Sequence, residues 1–544
     1  MRLPEDPRAR RDAFIELGRQ CAVDRPERKA YHQELRAWYT RGTASEDRVR
    51  FNKIKSHVKK SAAYLFQSQS VRFGAVLDPE YGDQFTDKLD TVRDDFHRYW
   101  HDSKVGLRVS LGVRWAHVYP TVVWKVTPHN EEAVVTLVPD PADIGVLEPD
   151  RPFDRQEAKT HFFWLTLAQF GRLIAGHPYE ADLRQAARES AEMGGADEPT
   201  APTVERLMFS STSPQMQGVM SRGMVTTPEA QVETARVLCC ELWVVDDRIG
   251  AWRCVTCLAP SGQVQRVIWD RKPSVCSSTD PFIALSLEDM PDYTWGLSET
   301  DDLSGLQEWH EHRANQIDRM LELQLDPPIV LGGFGGLSDE RAKRLRVPGG
   351  TLSTSIPNPT AQRMAPTMPP EAFAELAEIG KYFAEAGNLP LPMQGQADAS
   401  VRGGSQLWTM AALASPPTLE KAMVVEYATS ELATLVWRMR RELLSTPLMQ
   451  PNGSRFLLRQ IPADVSMEVA SHSASPLLAA AIKADALEML KVGAIDRPTY
   501  VELKQPPMVD VLRARARKLE EAAGKKAERI MAIQELKAQH GRSR

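Results

Sequence analysis

The sequence has 544 residues, of which 42% are apolar and 26% charged, with 32 Gly and 38 Pro. These fractions are typical of a globular protein and exclude collagen-like, low-complexity and wholly disordered chains. The net charge is 67 − 72 = −5, so the chain as a whole is not a polycation that would coat nucleic acid. The length predicts roughly three or four domain-sized units.

The N-terminal segment 1–20 is charged and has no apolar core, so it does not predict a secretory signal. No run of 18 apolar residues predicts a membrane-spanning helix. The cysteines are few for this length, which argues against a disulfide scaffold and favours folding in a reducing cytoplasm. They are Cys21, Cys239, Cys240, Cys254, Cys257 and Cys276.

The first third of the chain begins with predicted helices and continues into predicted strands. The helices are expected at 11–40, 46–67 and 84–101. In the second of them, apolar residues recur at spacings of three, four or seven and form one stripe, with lysines and arginines on either side. The Val-, Trp- and Tyr-rich runs 105–125 and 133–139 predict β-structure.

The middle of the chain predicts a sheet with an exposed connection. Residues 161–174 are expected to pass from strand to helix through Thr166. Residues 189–205 are small and polar and predict a loop or linker. Three apolar runs between 235 and 270, separated by turn residues, predict a three-stranded antiparallel meander.

Two helices of similar length follow, joined by a compact segment. The first starts near Ser298 and must end at Asp326, because the two prolines after it cannot continue the hydrogen-bond ladder. Residues 329–369 mix short strands, Gly-rich turns and a basic helical turn. The second helix starts at Pro370 and ends at Gly387. Its inward side chains are expected to be Phe373, Leu376, Ile379 and Phe383.

The last part of the chain predicts a loop and further helices. Residues 388–404 are rich in Pro and Gly and predict a mobile loop. A helix is expected from 405, broken at Pro416-Pro417 and continuing to about 444. Short β-structure at 454–470 precedes the final helical stretches, which are 476–492, 497–505 and 507–540. The fold class predicted by these elements is α+β and mainly helical.

Motifs that would mark an enzyme are missing. The sequence contains no Walker loop, no G-x-G-x-x-G, no complete H-E-x-x-H and no G-x-S-x-G. His310 and His312 are therefore interpreted as helix-surface residues. The cysteines between Cys239 and Cys276 could form a zinc site, but adjacent Cys239 and Cys240 should point to opposite faces of a strand. Buried thiols are favoured, and we expect no metal, no cofactor and no catalytic residues.

Four segments, in this order, resemble parts of tailed-bacteriophage portal proteins, the ring-shaped vertex through which DNA enters and leaves the head. The likeness extends over roughly 50–445, and the final hundred residues match only in being helical. The segments are RVRFNKIKSHVKKSAAYLFQSQSVRFG (48–74), VPDPADIGVLEPD (138–150), WGLSETDDLSGLQEWHEHRANQIDRMLELQLDPP (295–328) and SVRGGSQLWTMAALASPPTLEKAM (400–423).

The resemblance implies a portal-like fold with a wing of helices and β-sheet, antiparallel stem helices, a small α/β clip and a helical crown. It divides the chain into the wing (1–300), stem helix 1 (301–325), the clip (326–369), stem helix 2 (370–387), the tunnel loop (388–404), a long bent wing helix with return strands (405–470) and the crown (471–544).

The resemblance also implies a function without catalysis. It implies a dodecameric ring at one capsid vertex that conducts double-stranded DNA, without sequence specificity, during packaging and ejection. The expected protein partners are the large subunit of terminase, the major capsid protein and a tail adaptor, with no membrane. The protein would be assembled in the host cytoplasm and located in the virion.

Three groups of residues would carry this function. The tunnel loop would face the DNA with Gln394, Gln396, Asp398, Ser400 and Arg402. The clip would face the motor or adaptor with Arg341, Lys343, Arg344 and Arg346. The crown would face packaged DNA with Arg513, Arg515, Arg517, Lys518, Lys525 and Lys526.

Each group has an ordinary structural interpretation as well. The loop could be a surface connection, the clip cations a solvated helix face, and the C-terminal cations part of an amphipathic helix or a frayed end. Two other functions remain open at this point. One is a different virion assembly component with a basic DNA-binding C-terminal helix, and the other is a zinc-dependent enzyme using the cluster Cys239–Cys276.

Overall fold

The structure is a computed structural model, and the fold is α+β and mainly helical, as predicted. None of the helices described is long and apolar enough to cross a membrane. The described residues are 1–41, 51–77, 85–192, 235–325, 329–332, 360–363, 367, 369–387, 416–450, 453–469, 486, 489–504, 512, 515, 516, 518, 519 and 522.

The helices alternate with short groups of strands along the chain. They are α1 (Pro7–Gln20), α2 (Arg25–Arg41), α3 (Lys53–Leu65), α4 (Thr86–Asp102), α5 (Val105–Ala116), α6 (Leu167–Leu173), α7 (Glu180–Glu192), α8 (Glu299–Leu325), α9 (Glu371–Ala386), α10 (Pro416–Leu443) and α11 (Arg497–Lys504).

All described strand pairs are antiparallel. The strands are β1 (Phe73–Val76), β2 (Val122–His129), β3 (Glu132–Leu137), β4 (Ile144–Val146), β5 (Ala158–Thr166), β6 (Arg236–Asp246), β7 (Ala251–Leu258), β8 (Arg266–Arg271), β9 (Phe282–Leu285), β10 (Ile329–Gly332), β11 (Thr360–Arg363), β12 (Leu448–Met449), β13 (Arg455–Phe456) and β14 (Ser466–Val469).

The largest hydrophobic core lies between a layer of helices and a three-stranded sheet. The sheet has the order β3-β2-β9, and α3, α4, α5 and α10 pack against it through buried side chains such as Val58, Trp124 and Trp437. Strand β1 pairs with β14, which joins the region before α4 to a segment near residue 469. The N-terminal and C-terminal parts of the described chain therefore share one core.

A five-stranded sheet with the order β4-β5-β6-β7-β8 forms a second layer with its own two cores. Helix α1 covers one face, where Phe14 packs in the same cluster as Cys240. Helices α6 and α7 cover the other face, where Phe170 packs in the same cluster as Cys239. The predicted meander 235–270 is confirmed as β6-β7-β8, and the adjacent cysteines do face opposite sides of the sheet.

The strand-to-helix passage at Thr166 is also confirmed. Strand β5 ends at Thr166, whose hydroxyl accepts a hydrogen bond from the Gln169 amide at 3.2 Å. The Gln169 side chain accepts from the Thr166 amide at 2.9 Å. This reciprocal capping box satisfies two amide groups that the first turn of α6 leaves unpaired.

The prediction of β-structure over 105–125 is wrong for its first half. Residues 105–116 form α5, because Val105, Val109 and Val113 follow a four-residue spacing and are all buried on one face. Gly112 lets the helix approach the sheet closely, since a Cβ atom there would lie 2.3 Å from the Trp124 ring. Packing against β2 therefore outweighs the strand preference of the valines.

One detail of the later helices differs from the prediction. Phe373 was expected to point inward but is 51% exposed, whereas Ile379 and Phe383 are buried as expected. The described part of α10 begins with the two prolines at 416 and 417, which suits proline because the first turn of a helix leaves its amides unpaired. The predicted helical segment 405–415 lies outside the described residues.

Candidate functional site: a protruding helical pair and its root

Helices α8 and α9 form an antiparallel pair. Near one end, the Trp309 and Tyr382 rings stack with their centroids 6.3 Å apart. Further along, Arg313 Nε donates to Glu375 Oε1 at 2.9 Å. The numbering rises along α8 while it falls along α9, which fixes the antiparallel direction. Strands β10 and β11 follow α8 and precede α9, and they pair with each other at the far end.

Burial falls along the pair from one end to the other. All buried residues of α8 lie between Glu299 and Asn315. Beyond them, Leu321 and Leu323 are about half exposed and Leu325 is 86% exposed. In α9 the buried residues are Ile379 and Phe383, close to its C-terminal end. The pair is therefore rooted in the main core and projects from it.

The root is fixed to α3 by hydrogen bonds and by close backbone contact. The Gln307 side chain accepts from the Lys53 amide at 2.9 Å and donates to the Phe51 carbonyl at 2.8 Å. At the end of α9, Gly387 lies so close to the His57 ring that a Cβ atom would be 2.1 Å from it. These contacts place the first turns of α3 against both helices of the pair.

A buried cluster of charged and imidazole groups lies at the same root. Glu299, the first residue of α8, is 2.9 Å from His57 Nε2 through Oε1 and hydrogen-bonded to His117 Nδ1 through Oε2. Lys421 of α10 approaches the same carboxylate at 3.6 Å. One carboxylate thus links α3, the end of α5, α8 and α10.

The electrostatics of this cluster favour an ionised carboxylate. Burial alone would raise the pKa of Glu299, but the charge and hydrogen bond of His117, together with those of His57, outweigh it. The pKa of Glu299 is therefore held well below its usual range. The cluster binds the projecting pair to the body through both oxygens of the Glu299 carboxylate.

The predicted site residues lie mostly outside the described part of the chain. This holds for the whole tunnel loop 388–404, for the clip cations between 341 and 346, and for four of the six crown cations. The exceptions are Arg515 and Lys518, which are helical and exposed. Their roles stay predictions.

The cysteines behave as buried thiols. Cys239, Cys240 and Cys257 are buried in the five-stranded sheet, and Cys254 is partly buried. Burial raises the pKa of Cys239 to about 12, and that of Cys257 likewise, which opposes the thiolate form needed for metal binding. Among the described residues, no three His, Cys, Asp or Glu side chains are grouped so that they could hold a metal ion.

Sequence reasoning missed the root cluster and misplaced one of the histidines. His310 was interpreted as a surface residue but is buried, with an edge-on contact to the Phe51 ring; His312 is exposed as expected. Residues His57, His117 and Glu299 come from three distant parts of the sequence. The sequence feature that could have indicated this cluster was Glu299, a glutamate at the first position of a helix. A glutamate at that position is also favoured by the helix dipole alone, so it did not point to a buried cluster.

Comparisons with known proteins give distant structural similarity and no sequence relative. No family model matches the chain, and no curated protein matches it. A chain from the neck of an empty gene transfer agent particle, computed with C6 symmetry, shares 10% identity over 88% of this chain and 93% of that chain, with a TM-score of 0.41. A chain from the virion of a native gene transfer agent particle shares 10% identity over the same fractions, with a TM-score of 0.38.

Proposed function

We propose that this protein is the subunit of a portal-type ring, a structural component of a tailed-phage-like particle through which double-stranded DNA passes. The observation that carries the proposal is the antiparallel pair α8–α9, which leaves the body with its apolar side chains uncovered. Leu325 and Phe373, near the far end, are 86% and 51% exposed in the single chain. The segment resemblance described for the sequence supports the same assignment.

The exposed apolar side chains of the projecting pair would be more stable if other subunits covered them. A two-helix hairpin has too little mass to build a core of its own, and contiguous exposed apolar surface is uncommon on monomers. Copies arranged around a rotation axis would cover it, because a repeated head-to-tail contact closes into a ring. We propose a closed ring, with twelve subunits as the family resemblance implies.

The charge of the projecting pair suits a DNA conduit. Helix α8 has seven acidic residues and two cations, and α9 has four acidic residues and one cation. The net charge of the pair is therefore 3 − 11 = −8. Affinity for DNA rises steeply with the number of phosphates neutralised. An acidic wall repels phosphates and allows the duplex to slide, whereas a basic wall would hold it.

The proposal assigns the segments as the resemblance does. The body up to residue 300 is the wing, α8 and α9 are the stem, and the segment between them is the clip, which would meet the terminase motor and later a tail adaptor. The loop 388–404 would border the bore, α10 would return to the wing next to the capsid protein, and 471–544 would form the crown. No catalytic role is proposed.

The oligomeric state of the purified full-length protein tests the proposal. Native mass measurement and negative-stain images should show closed rings with a central hole. A monodisperse monomer at all concentrations would contradict it. A second test replaces Gln394, Gln396 and Asp398 with lysine, which should impair DNA passage without affecting ring formation, because three added cations per subunit would bind phosphates.

A second candidate is a virion assembly component that binds DNA through a basic C-terminal helix. The stretch 511–544 has ten cations and four acids, a net charge of +6, and Arg515 and Lys518 are exposed. Removing 511–544 would abolish DNA binding by this component. The ring proposed above should still form after the same truncation, which distinguishes the two candidates.

A further inference from the structure

Two helices on one side of the body carry only positive charge. Helix α3 contains four lysines and α5 two arginines, and neither contains Asp or Glu. The exposed cations of this basic face are Lys55, Lys59 and Lys60 of α3, Lys104 just before α5, and Arg114 of α5. In the part of the chain that the structure describes, none of these five is paired with a carboxylate. A basic face of this kind contrasts with the net negative charge of the whole chain.

The two helices lie side by side and antiparallel, so their outer faces form one surface. At one end, His57 and His117 share the Glu299 carboxylate. At the other end, a Cβ atom on Gly106 would lie 3.1 Å from the Ser68 side chain. The inner faces of both helices pack into the main core, and their outer faces therefore point to solvent together.

The basic face also has an apolar centre. Leu107 and Leu111 are one helical turn apart on α5 and are 60% and 43% exposed. Lys104 and Arg114 lie on the same helical stripe, one before and one after the leucines. Exposed leucines surrounded by cations suit a partner that offers both apolar contact and negative charge, which is the composition of a protein surface more than of a DNA backbone.

A second surface of the same chain has this complementary composition. Residues 288–293, Glu-Asp-Met-Pro-Asp-Tyr, are six consecutive exposed residues. Three of them are acidic, and Met290 and Tyr293 are 46% and 41% exposed. Asp24 and Glu27 lie close enough to Tyr293 to add to the effect of burial in raising its pKa. We call Glu27 and 288–293 the acidic face.

The basic and acidic faces lie at opposite ends of α2. Near the start of this helix, Arg28 stacks on the Trp295 ring at 4.2 Å, next to the acidic face. Near its end, the carbonyls of Trp38 and Tyr39 accept hydrogen bonds at 3.0 Å from Asn52, the N-cap of α3. The faces also approach each other near Glu299, because Lys421 Nζ lies 4.0 Å from Glu288 Oε2 of the acidic face and 3.6 Å from Glu299 Oε1. Both faces are exposed and opposite in charge, so the acidic face of a second copy can bind the basic face.

We propose that the basic face of one subunit binds the acidic face of the next copy, which forms a heterologous contact around the ring. The inference rests on the proposed ring and specifies which surfaces of the body meet in it. Opposite charge would set the order and register of the subunits, and the apolar residues on each side would supply buried contact area. The contact is not self-complementary, so it favours a cyclic assembly over an isolated twofold dimer.

Charge reversal of each face tests the proposal in the full-length protein. A basic-face variant carries Lys59→Glu and Lys60→Glu, and an acidic-face variant carries Glu27→Lys and Asp289→Lys. All four positions are exposed, and circular dichroism and thermal unfolding would verify the fold. A matched control carries Arg266→Glu and Lys272→Glu, two exposed cations at β8 and just after it. Native mass measurement and negative-stain images report assembly.

Each variant alone should assemble on the order of tenfold or more weakly than the natural protein, because like charges would face each other. An equimolar mixture should recover assembly, with the two variants alternating around the ring, and the control should assemble normally. As a second measurement without change of charge, Leu107→Ser should also weaken assembly.

The outcomes separate this inference from the proposed function. If the natural protein forms rings and both variants assemble equally well, the faces do not meet and the inference is wrong although the ring stands. The same conclusion follows if the mixture fails to recover assembly. If the basic-face variant keeps its rings but loses binding of a 20-base-pair DNA duplex, the face binds nucleic acid instead. A natural protein that stays monomeric contradicts the ring itself.

Discussion

The Nε2 atom of His57 lies 2.9 Å from Oε1 of Glu299, which links α3 to the first residue of α8 across 242 positions of the sequence. The other carboxylate oxygen is hydrogen-bonded to His117. This carboxylate therefore determines how firmly the projecting pair is attached to the body, and its removal is the most direct perturbation of the root.

Replacing Glu299 with Ala should lower the free energy of unfolding by about 3–5 kcal/mol, because buried partners would lose their counter-charge. Urea unfolding followed by circular dichroism measures the change. The matched control is Glu308→Ala on the exposed side of the same helix, which should stay within about 0.5 kcal/mol of the natural protein. Equal effects at the two positions would contradict the structural role of Glu299.

The lowered pKa of Glu299 predicts acid sensitivity. A carboxyl group with a folded-state pKa below its unfolded value of about 4.3 contributes stability that is present above that value and lost as the pH falls toward the folded pKa. At pH values below about 4.3, we expect the urea concentration at the unfolding midpoint to decrease as the pH is lowered. The decrease should be smaller in Glu299→Gln. If the urea midpoint of Glu299→Gln decreased with falling pH as much as that of the natural protein, carboxylates other than Glu299 would account for the acid sensitivity.

His161 predicts a second loss of stability, at milder pH. Burial, followed by the charge of Lys125, lowers the pKa of His161 to about 3, and Lys125 Nζ lies 3.2 Å from its Nδ1. Between pH 6.5 and this value the unfolded chain binds the extra proton, so stability falls as the pH falls. For this one group the loss from pH 7 to pH 5 is about 2 kcal/mol.

The variant His161→Gln should flatten this part of the stability curve. His101→Gln is the control, because its side chain is 90% exposed. Urea titrations at several pH values between 5 and 7 compare the three proteins. A natural protein with constant stability over this range would contradict the neutral state of His161 in the folded protein.

Two glycines predict opposite effects of the same substitution. Gly387→Ala should destabilise the protein by about 1–3 kcal/mol, because the new methyl group would collide with the His57 ring. Gly305→Ala in the exposed part of α8 meets no atom within 4 Å and should stabilise it by about 0.5–1 kcal/mol. Thermal unfolding measures both. If Gly387→Ala left the melting temperature unchanged, the end of α9 would be able to move away from α3.

The buried thiols predict that metal removal has no effect. A chelator should leave the melting temperature of the natural protein unchanged, and thiol reagents should modify Cys239, Cys240 and Cys257 only after unfolding. Cys254, which is partly buried, should react first. A drop in melting temperature on chelation would revive the zinc hypothesis for the cluster Cys239–Cys276.

Features encoded by neighbouring residues could be predicted from the sequence. Prolines at 327 and 328 place the end of α8, Thr166 and Gln169 place the start of α6, and turn residues separate β6, β7 and β8. Each of these depends on contacts within a few positions, so a pattern in the sequence suffices. The fold class follows from the number and type of such elements.

Features that depend on distant contacts could not be predicted in this way. Helix α5 was expected to be a strand because its valines were counted without knowing that Trp124 packs against Gly112. The same applies to Glu299, whose partners at positions 57 and 117 are brought together only by the folded body. His310 was assigned to the surface because the sequence does not show that the Phe51 ring packs against it. Phe51 lies just before α3, far from His310 in the sequence.

The pairing of β1 with β14 has a consequence for synthesis on the ribosome. Phe73 pairs with Val469, so about 400 residues must follow the first strand before its partner exists, which takes about 20–80 s at cellular translation rates. During that interval the nascent chain exposes an unpaired strand edge and part of its core. Chaperone binding to this intermediate would determine the yield of soluble subunit more than the stability of the finished chain does.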